Sequence, residues 1–362
     1  MAYDVGWLPS LKNTKEPRAL FVHLPGRKKE AVEKLLRTYM VHLFEELKVE
    51  RNDSINAELT IATFEDLDES PLADLGEEGF QIETSDNHTT IKGETERGLV
   101  YGIFYLMKQL QLGNKLHTID VFERPASPIR MINHWDNMDG TVERGYAGRS
   151  LFFEDNAFIY DEKRITAYAE LLASVGINAL TMNNVNVHEV ETYLIDESLL
   201  PDVAKHAAIF KKYGISLYLS INYASPIVLG KLDSADPLDK AVISWWKKQA
   251  EIIYRHVPEL GGFVVKADSE HRPGPFTYGR THADGANMLQ KRLNHLEELF
   301  SGVVSFMTVC KTGEIVQPIE RERHMIISLN WMVNSRKMSS YKSKVGQWIS
   351  KCENRLHHCL AH

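Results

Sequence analysis

The chain has 362 residues, of which 43% are apolar and 25% are charged. These values are close to the averages for globular proteins and exclude a disordered, collagen-like or coiled-coil chain. No stretch approaches the ~20 consecutive apolar residues that cross a membrane, and the polar first residues do not resemble a secretory signal. The net charge of −7, with no basic stripe, predicts no nucleic-acid partner. We therefore expect a cytoplasmic protein with neither a membrane nor a nucleic acid as partner.

The first part of the chain predicts a small α+β domain that ends near residue 125. Apolar side chains at helical spacing indicate two helices, and short apolar or alternating runs indicate strands. Strands beside two helices, without a repeated β-α unit, are typical of this fold class. The predicted strands lie at 19–23, at 57–64 and in a hairpin over 79–95, and the predicted helices lie at 28–48 and 94–112.

After Pro125 and Pro128 the pattern changes to strands that alternate with helices. Each strand begins apolar and ends in polar residues, which is the layout of a (β/α)8 barrel with its site at the carboxyl ends of the strands. A doubly wound fold is the alternative, but the Gly-rich phosphate loop that usually follows its first strand is missing. The predicted strands lie at 130–137, 177–184, 215–223, 262–270 and, as the start of a fifth, 301–305.

The barrel predicted by this pattern is incomplete. A (β/α)8 domain takes typically ~250 residues, and the segment that fits the pattern ends at Val304. We therefore predict an α/β protein in which a small α+β N-terminal domain, residues 1–125, precedes the first half of a TIM barrel, residues 126–304. Residues 305–362 form a third segment of different composition.

Side chains at two predicted strand ends indicate a possible chemistry of the site. Side chains alternate along a strand, so Lys266, Asp268 and Glu270 should share one face. A lysine beside carboxylates can bind an anion and hold a carboxylic acid at raised pKa, as glycoside hydrolysis requires. A salt-bridged cluster without catalytic role is the alternative. Trp135, near the end of the first barrel strand, could stack on a sugar ring or belong to the core.

Three segments resemble the xylan-debranching α-glucuronidases of glycoside hydrolase family 67. Residues 134–153 read HWDNMDGTVERGYAGRSLFF, and residues 262–289 read GFVVKADSEHRPGPFTYGRTHADGANML. Residues 76–111, which begin GEEGFQIET and end GLVYGIFYLMKQLQ, resemble the N-terminal domain of that family. The resemblance covers roughly residues 10 to 304.

The resemblance implies a function and a set of site residues. It implies removal of (4-O-methyl-)D-glucuronic acid from the terminal xylose of xylo-oligosaccharides, with inversion and with neither a metal nor another cofactor. Glu270 falls on the general acid of the family, and Lys266 falls on a lysine that contacts the uronate carboxylate. Trp135 falls on the tryptophan of the sugar pocket, and Val185 on an apolar wall of it. A homodimer is a further expectation for full-length relatives.

The base that an inverting enzyme also needs falls, in the family, beyond Val304. From Ser305 to the end, 9 residues are basic, 4 are acidic and none is aspartate. Reading these codons from their third base restores aspartates, because Met307-Thr308 and Met325-Ile326 must then encode aspartate. We therefore interpret residues 305–362 as an out-of-frame translation, which leaves the chain without its base and without activity.

The sequence leaves two alternative functions open. A substrate-assisted hexosaminidase would have a similar N-terminal domain, but it needs an adjacent Asp-Glu pair, whereas Ser269 separates Asp268 from Glu270. A sugar-binding pseudoenzyme, whose basic tail has a role of its own, is the non-catalytic alternative.

Overall fold

The structure is a computed structural model, and it describes residues 16–51, 57–71, 74–266, 268, 272–297 and 305–309. From residue 290 onward the description concerns the backbone alone. The chain divides into two compact units. The first consists of Met1–Arg130, Ala167–Asn178 and Lys212–Gly214, and the second consists of Met131–Thr166, Ala179–Lys211 and Ile215–His362.

The first unit contains a mixed six-stranded sheet, two helices of 9 and 16 residues, and the part of the helix Glu162–Ser174 that begins at Ala167. The strand order is β2-β1-β3-β5-β4-β6; β1 is parallel to β2 and β3, β3 is parallel to β5, and β4 is antiparallel to β5 and β6. This arrangement confirms the predicted hairpin, in which Ser85 pairs with His88. The elements are β1 (Glu16–His23), α1 (Glu30–Thr38), β2 (Phe44–Glu50), β3 (Leu59–Thr63), β4 (Phe80–Ser85), β5 (His88–Gly93), α2 (Glu96–Gln111) and β6 (Val121–Glu123).

Helix α2 packs tightly against the hairpin because its sequence provides small residues at the contact. A Cβ on Gly102 would lie 2.5 Å from Ile91 Cγ2, and one on Gly98 would lie 2.3 Å from the Gly79 carbonyl oxygen. The Thr95 side chain caps the helix by accepting a hydrogen bond from the Arg97 backbone N–H. The predicted helix over 94–112 is thereby confirmed.

The helix predicted over 28–48 is wrong in its second half. Helix α1 ends at Thr38, and Phe44–Glu50 forms the edge strand β2. The periodicity of the apolar residues does fit a helix, but strand β2 pairs in parallel with β1 from Phe44 to Glu50. Backbone hydrogen bonds to a neighbouring strand, which no local pattern reveals, decide the conformation here.

A buried carboxylate holds several parts of the first unit together. Glu170 is buried, and it accepts hydrogen bonds from the hydroxyl groups of Tyr39 and Tyr213, the latter at 2.6 Å. The Lys34 ammonium lies 3.4 Å from the same carboxylate. Burial, and then the negative charge of Glu170, raise the pKa of both tyrosines, so both remain protonated donors.

We expect the Tyr213→Phe substitution to lower the free energy of unfolding by about 1.5–3 kcal/mol. It removes a hydrogen bond to a charged, buried acceptor and leaves the rest of the ring in place. Denaturant unfolding of the two proteins measures the difference. Tyr146→Phe is the matched control, since Tyr146 is 76% exposed, and its effect should stay within about 0.5 kcal/mol. Equal effects of the two substitutions would contradict this account of Glu170.

The second unit is built on a five-stranded parallel sheet. The strand order is β13-β12-β11-β10-β7, so each strand lies beside the next one of the sheet in the sequence. Strand β12 is buried from Leu260 to Val265, as expected for a parallel strand covered on both faces. The elements from Met131 onward are β7 (Met131–Asn133), β8 (Phe153–Glu154), β9 (Ala157–Phe158), α3 (Glu162–Ser174), β10 (Ala179–Thr181), α4 (Leu200–Lys211), β11 (Ser216–Ile221), α5 (Ser225–Val228), α6 (Lys240–His256), β12 (Leu260–Lys266), α7 (His282–Glu297) and β13 (Ser305–Val309). Helix α3 belongs to the first unit from Ala167 onward.

The alternation of strands and helices predicted after Pro128 is confirmed, and the chain has a mixed α/β fold with parallel strands. The first four strands of the sheet lie at the predicted places, although β7 and β10 have only three residues each. The fifth strand lies at Ser305–Val309 and shares only Ser305 with the predicted range. It pairs with β12 in continuous register from Gly262 to Lys266.

No helix among the described residues is long and apolar enough to span a membrane.

His206 on α4 is completely buried in an aromatic cluster. Its ring lies 5.4 Å from that of Phe158 and 6.0 Å from that of Phe152, and its Nδ1 lies 2.8 Å from the carbonyl oxygen of Asp202. Burial lowers the pKa of His206, the backbone carbonyls of Asp202 and Ile159 oppose this shift, and the Lys205 charge adds to it. The folded state therefore favours the neutral ring.

This site gives the protein a stability that depends on pH. The unfolded chain protonates His206 near pH 6.5, above the pKa in the folded state, so it binds more protons in the interval between the two values. We expect the stability to be complete above pH 6.5 and to fall as the pH drops below it. The temperature of thermal unfolding, measured between pH 7.5 and 5, should depend less steeply on pH for His206→Asn than for the parent. The same substitution at exposed His42 should leave the dependence unchanged.

Candidate active site

Polar side chains gather where the parallel strands of the second unit end. Asp136 and Asn137 follow β7, three asparagines follow β10, and Asn222 follows β11. Lys266 is the last residue of β12. Because the strands are parallel, these residues lie along one edge of the sheet, where barrel and doubly wound folds bind their ligands.

Asp136 fixes the loop that follows β7. Its buried carboxylate accepts hydrogen bonds from Ser150 Oγ at 2.6 Å and from the Leu151 backbone N–H at 2.9 Å. His134 Nδ1 lies 3.1 Å from its other oxygen. These contacts connect the strand end with a segment 14 residues further along the chain. Asp136 therefore has a structural role, because hydrogen-bond donors of the protein pair with its buried carboxylate.

Three asparagine side chains connect the ends of β7, β10 and β12. Asn184, which is fully buried, donates from Nδ2 to Asn137 Oδ1 at 2.9 Å. Its own Oδ1 accepts from the Asn186 backbone N–H at 2.9 Å. Asn186 Oδ1 in turn accepts a hydrogen bond of 2.5 Å from Lys266 Nζ. We call Asn137, Asn184 and Asn186 the asparagine relay.

The structure brings Lys266 into contact with the segment that contains Val185. Val185 is 2% exposed and directly precedes Asn186, the hydrogen-bond partner of Lys266. Trp135 is half-buried at the end of β7, where its carbonyl oxygen accepts from the Glu143 backbone N–H. Glu270, the predicted proton donor, lies outside the described residues. The roles of these four residues stay predictions.

Asp268 does not extend the strand face of Lys266, as the sequence had suggested. Its φ of +49° takes the backbone out of the extended region, so the alternation of side chains ends before it. Its carboxylate accepts from the Phe276 backbone N–H at 3.1 Å and from His282 Nε2 at 2.8 Å. A Cβ on Gly274 would lie 2.5 Å from Asp268 Oδ1, so this close approach requires glycine. Asp268 thus holds the loop after β12.

A second group of contacts at the same edge involves Arg272, in the loop after β12. Arg272 Nη1 donates to Thr192 Oγ1 at 3.2 Å, and Asn222 Nδ2 donates to the same oxygen at 3.1 Å. The loop after β12 is therefore connected with the loop after β10 and with the end of β11. Sequence patterns did not reveal this group or the asparagine relay, although the run Met182–Asn186 is rich in asparagine.

Among the described residues, no group of three His, Cys, Asp or Glu side chains is placed to hold a metal ion.

Two family models match the chain. The model of the glycosyl hydrolase family 67 N-terminus matches residues 12–106, and that of the family 67 middle domain matches residues 109–321. The second match covers more than half of the chain and extends beyond the domain boundary predicted at Val304. The predicted boundary near residue 125 lies inside this match.

Curated relatives are similar over about two thirds of the chain. A protein named "Alpha-glucuronidase A" from Emericella nidulans is 44% identical over 231 residues, which are 62% of this chain and 27% of the relative. A protein named "Probable alpha-glucuronidase A" from Aspergillus terreus is 41% identical over 249 residues, or 67% of this chain and 29% of the relative. The chain thus spans less than a third of the length of these relatives.

Solved structures share the fold at low sequence identity. A family GH115 4-O-methyl-alpha-glucuronidase with specificity for decorated arabinogalactans has a TM-score of 0.52 and 13% identity, over 82% of this chain and 45% of its own. A GH20 beta-N-acetylhexosaminidase from Streptomyces coelicolor has a TM-score of 0.51 and 11% identity, over 82% of this chain and 66% of its own. At these identities the similarity concerns the fold alone.

Proposed function

Because the chain belongs to glycosyl hydrolase family 67, we propose that it provides the N-terminal domain and half of the catalytic domain of an α-glucuronidase. The proposed substrate is a xylo-oligosaccharide whose terminal xylose carries α-1,2-linked (4-O-methyl-)D-glucuronic acid. The match of both family 67 domains over residues 12–106 and 109–321 carries the proposal. Five parallel strands in sequential order support the assignment of the second unit to an incomplete (β/α)8 barrel.

The proposed site binds the uronic acid through charge and apolar contact. Lys266 Nζ, at the end of β12, binds the uronate carboxylate through a charge-assisted hydrogen bond. Trp135 stacks on the sugar ring, and Val185 forms an apolar wall. Glu270 protonates the glycosidic oxygen as the bond to xylose breaks. The hydrogen bond that links Lys266 to the segment of Val185 supports a common pocket for these side chains.

The proposed reaction needs a second carboxylate, which activates a water molecule on the opposite face of the sugar. In inverting glycosidases this base lies ~6.5–9.5 Å from the acid. We place it in the part of the family sequence that follows Val304. The segment from Ser305 to His362 contains no aspartate, so we propose that these residues do not supply the base and that hydrolysis requires the family sequence in its place.

The environment of Asp268 favours this function over that of a substrate-assisted hexosaminidase. The hexosaminidase mechanism needs an aspartate beside the acid that is available to the substrate. Asp268 instead accepts from His282 and from the Phe276 backbone N–H. A sugar-binding pseudoenzyme is the other alternative, and it is distinguished from the proposal by whether restoring the reading frame restores hydrolysis.

The test compares the 362-residue chain with a form whose reading frame is restored after Val304. Both are incubated with aldotetraouronic acid, and released glucuronic acid is measured by chromatography and by proton NMR. We expect hydrolysis by the restored form alone, with the β-anomer of glucuronic acid appearing first, as inversion requires. Binding of the substrate by both forms with hydrolysis by neither would favour the pseudoenzyme. Failure of both forms to bind it would overturn the proposal.

A further inference from the structure

We propose that Asn186 is a positioning residue that holds Lys266 for uronate recognition, and that the other two members of the asparagine relay, Asn137 and Asn184, hold Asn186 in turn. The inference rests on the proposed function, since it concerns the lysine that is to bind the carboxylate. Its structural basis is the hydrogen bond of 2.5 Å between Lys266 Nζ and Asn186 Oδ1. This contact joins the end of β12 with the loop after β10, although β11 lies between these two strands in the sheet.

The relay is fixed because its polar atoms are used by specific partners. Asn137 Nδ2 donates to Thr141 Oγ1 at 2.9 Å and to the Glu143 carbonyl oxygen at 2.7 Å, so its Oδ1 must face Asn184. Asn184 then presents its own Oδ1 to the Asn186 backbone. The orientation of the Asn184 amide is fixed because a backbone N–H can only donate, and that of the Asn186 amide because the Lys266 ammonium group can only donate.

An amide at position 186 suits this role better than a carboxylate would. Asn186 is 6% exposed, so an ionised side chain here would form a largely desolvated ion pair with Lys266 and compete with an anionic ligand. A neutral oxygen orients the flexible lysine side chain and adds no negative charge. A lysine has four rotatable bonds, and restraining it before the ligand arrives reduces the entropy that binding must offset.

The test measures selectivity for charge rather than affinity alone. The affinities of the full chain for D-glucuronate and for D-glucose are compared by calorimetry in the parent, Asn186→Ala, Lys266→Met and the double variant. We expect Asn186→Ala to weaken glucuronate binding about tenfold and to leave glucose binding unchanged. In the Lys266→Met background, Asn186→Ala should have no further effect on the ratio of the two affinities.

Asn186→Asp is the second variant, because it preserves the size of the side chain. It should weaken glucuronate binding more than Asn186→Ala does, and most of this difference should persist in added salt, because a buried ion pair is screened little. Asn183→Ala is the matched control: Asn183 is also buried, but its side chain forms hydrogen bonds with the backbone of Ser220. Its ratio of affinities should equal that of the parent.

The outcomes distinguish a wrong role for Asn186 from a wrong role for Lys266 in the proposed function. A ratio unchanged by Asn186→Ala but abolished by Lys266→Met would overturn the role of Asn186 and leave the proposed function intact. Additive effects in the double variant would also overturn it, since the two residues would then act independently. A ratio unchanged by Lys266→Met would overturn the recognition of uronate by this lysine, and the inference with it.

Discussion

Replacement of Glu270 by alanine is expected to abolish release of glucuronic acid from aldotetraouronic acid in the form whose reading frame is restored. The leaving group is a xylose oxygen, which departs slowly unless it is protonated, and general acid catalysis contributes typically ~10²–10⁴-fold. The motif that resembles the family places Glu270 on the proton donor, four residues after Lys266. A rate assay that compares the restored form with its Glu270→Ala variant measures the loss.

An activated substrate distinguishes this role from a structural one. A 4-nitrophenyl leaving group departs without protonation, so Glu270→Ala should recover much of the activity on it. Asp268→Asn is the matched control, because the amide oxygen can still accept from the Phe276 backbone N–H and hold the loop. Equal losses on both substrates would show that Glu270 is not the proton donor.

Replacement of Lys266 by methionine is expected to weaken binding of glucuronate by roughly 10- to 100-fold and to leave binding of glucose almost unchanged. A charge-assisted hydrogen bond contributes roughly 1.5–3 kcal/mol, and each 1.4 kcal/mol corresponds to a factor of ten in affinity. Methionine preserves the length of the side chain and its apolar contacts but removes the charge. Calorimetric titration of each variant with the two sugars measures the effect.

A lysine elsewhere on the protein controls for the loss of net charge. Lys231 is exposed, and its Nζ donates to the Val228 carbonyl oxygen at 2.7 Å. Lys231→Met should leave the affinity for glucuronate unchanged. An affinity for glucuronate that Lys266→Met does not alter would refute the assignment of the carboxylate contact to Lys266.

Much of the fold follows from patterns that lie within one segment of the chain. The hairpin around Asp86 was predicted because apolar and polar residues alternate on both sides of a turn, and Asp86 adopts the positive φ that such turns use. The strand–helix alternation of the second unit was predicted from periodicity in the same way. In each case the signal depends on the burial of one face, which the local sequence encodes.

The positions of polar contacts were predicted less well. Lys266 was identified from its place at a strand end, yet its partner Asn186 lies 80 residues earlier in the chain. No spacing rule connects the two, because the contact depends on how far each loop extends beyond its strand. The same holds for Arg272 and Thr192, which are also 80 residues apart.

By itself the sequence determined the family, the α/β class and the identity of the residues proposed for the site. Tertiary structure decided which of these residues meet. Phe44–Glu50 became a strand because β1 offered it backbone partners, and Asp268 left the face of Lys266 because a positive φ turned its carboxylate toward Phe276 and His282. Periodicity reports which side of an element is buried, whereas pairing and loop geometry depend on groups distant in sequence, which only the folded chain brings together.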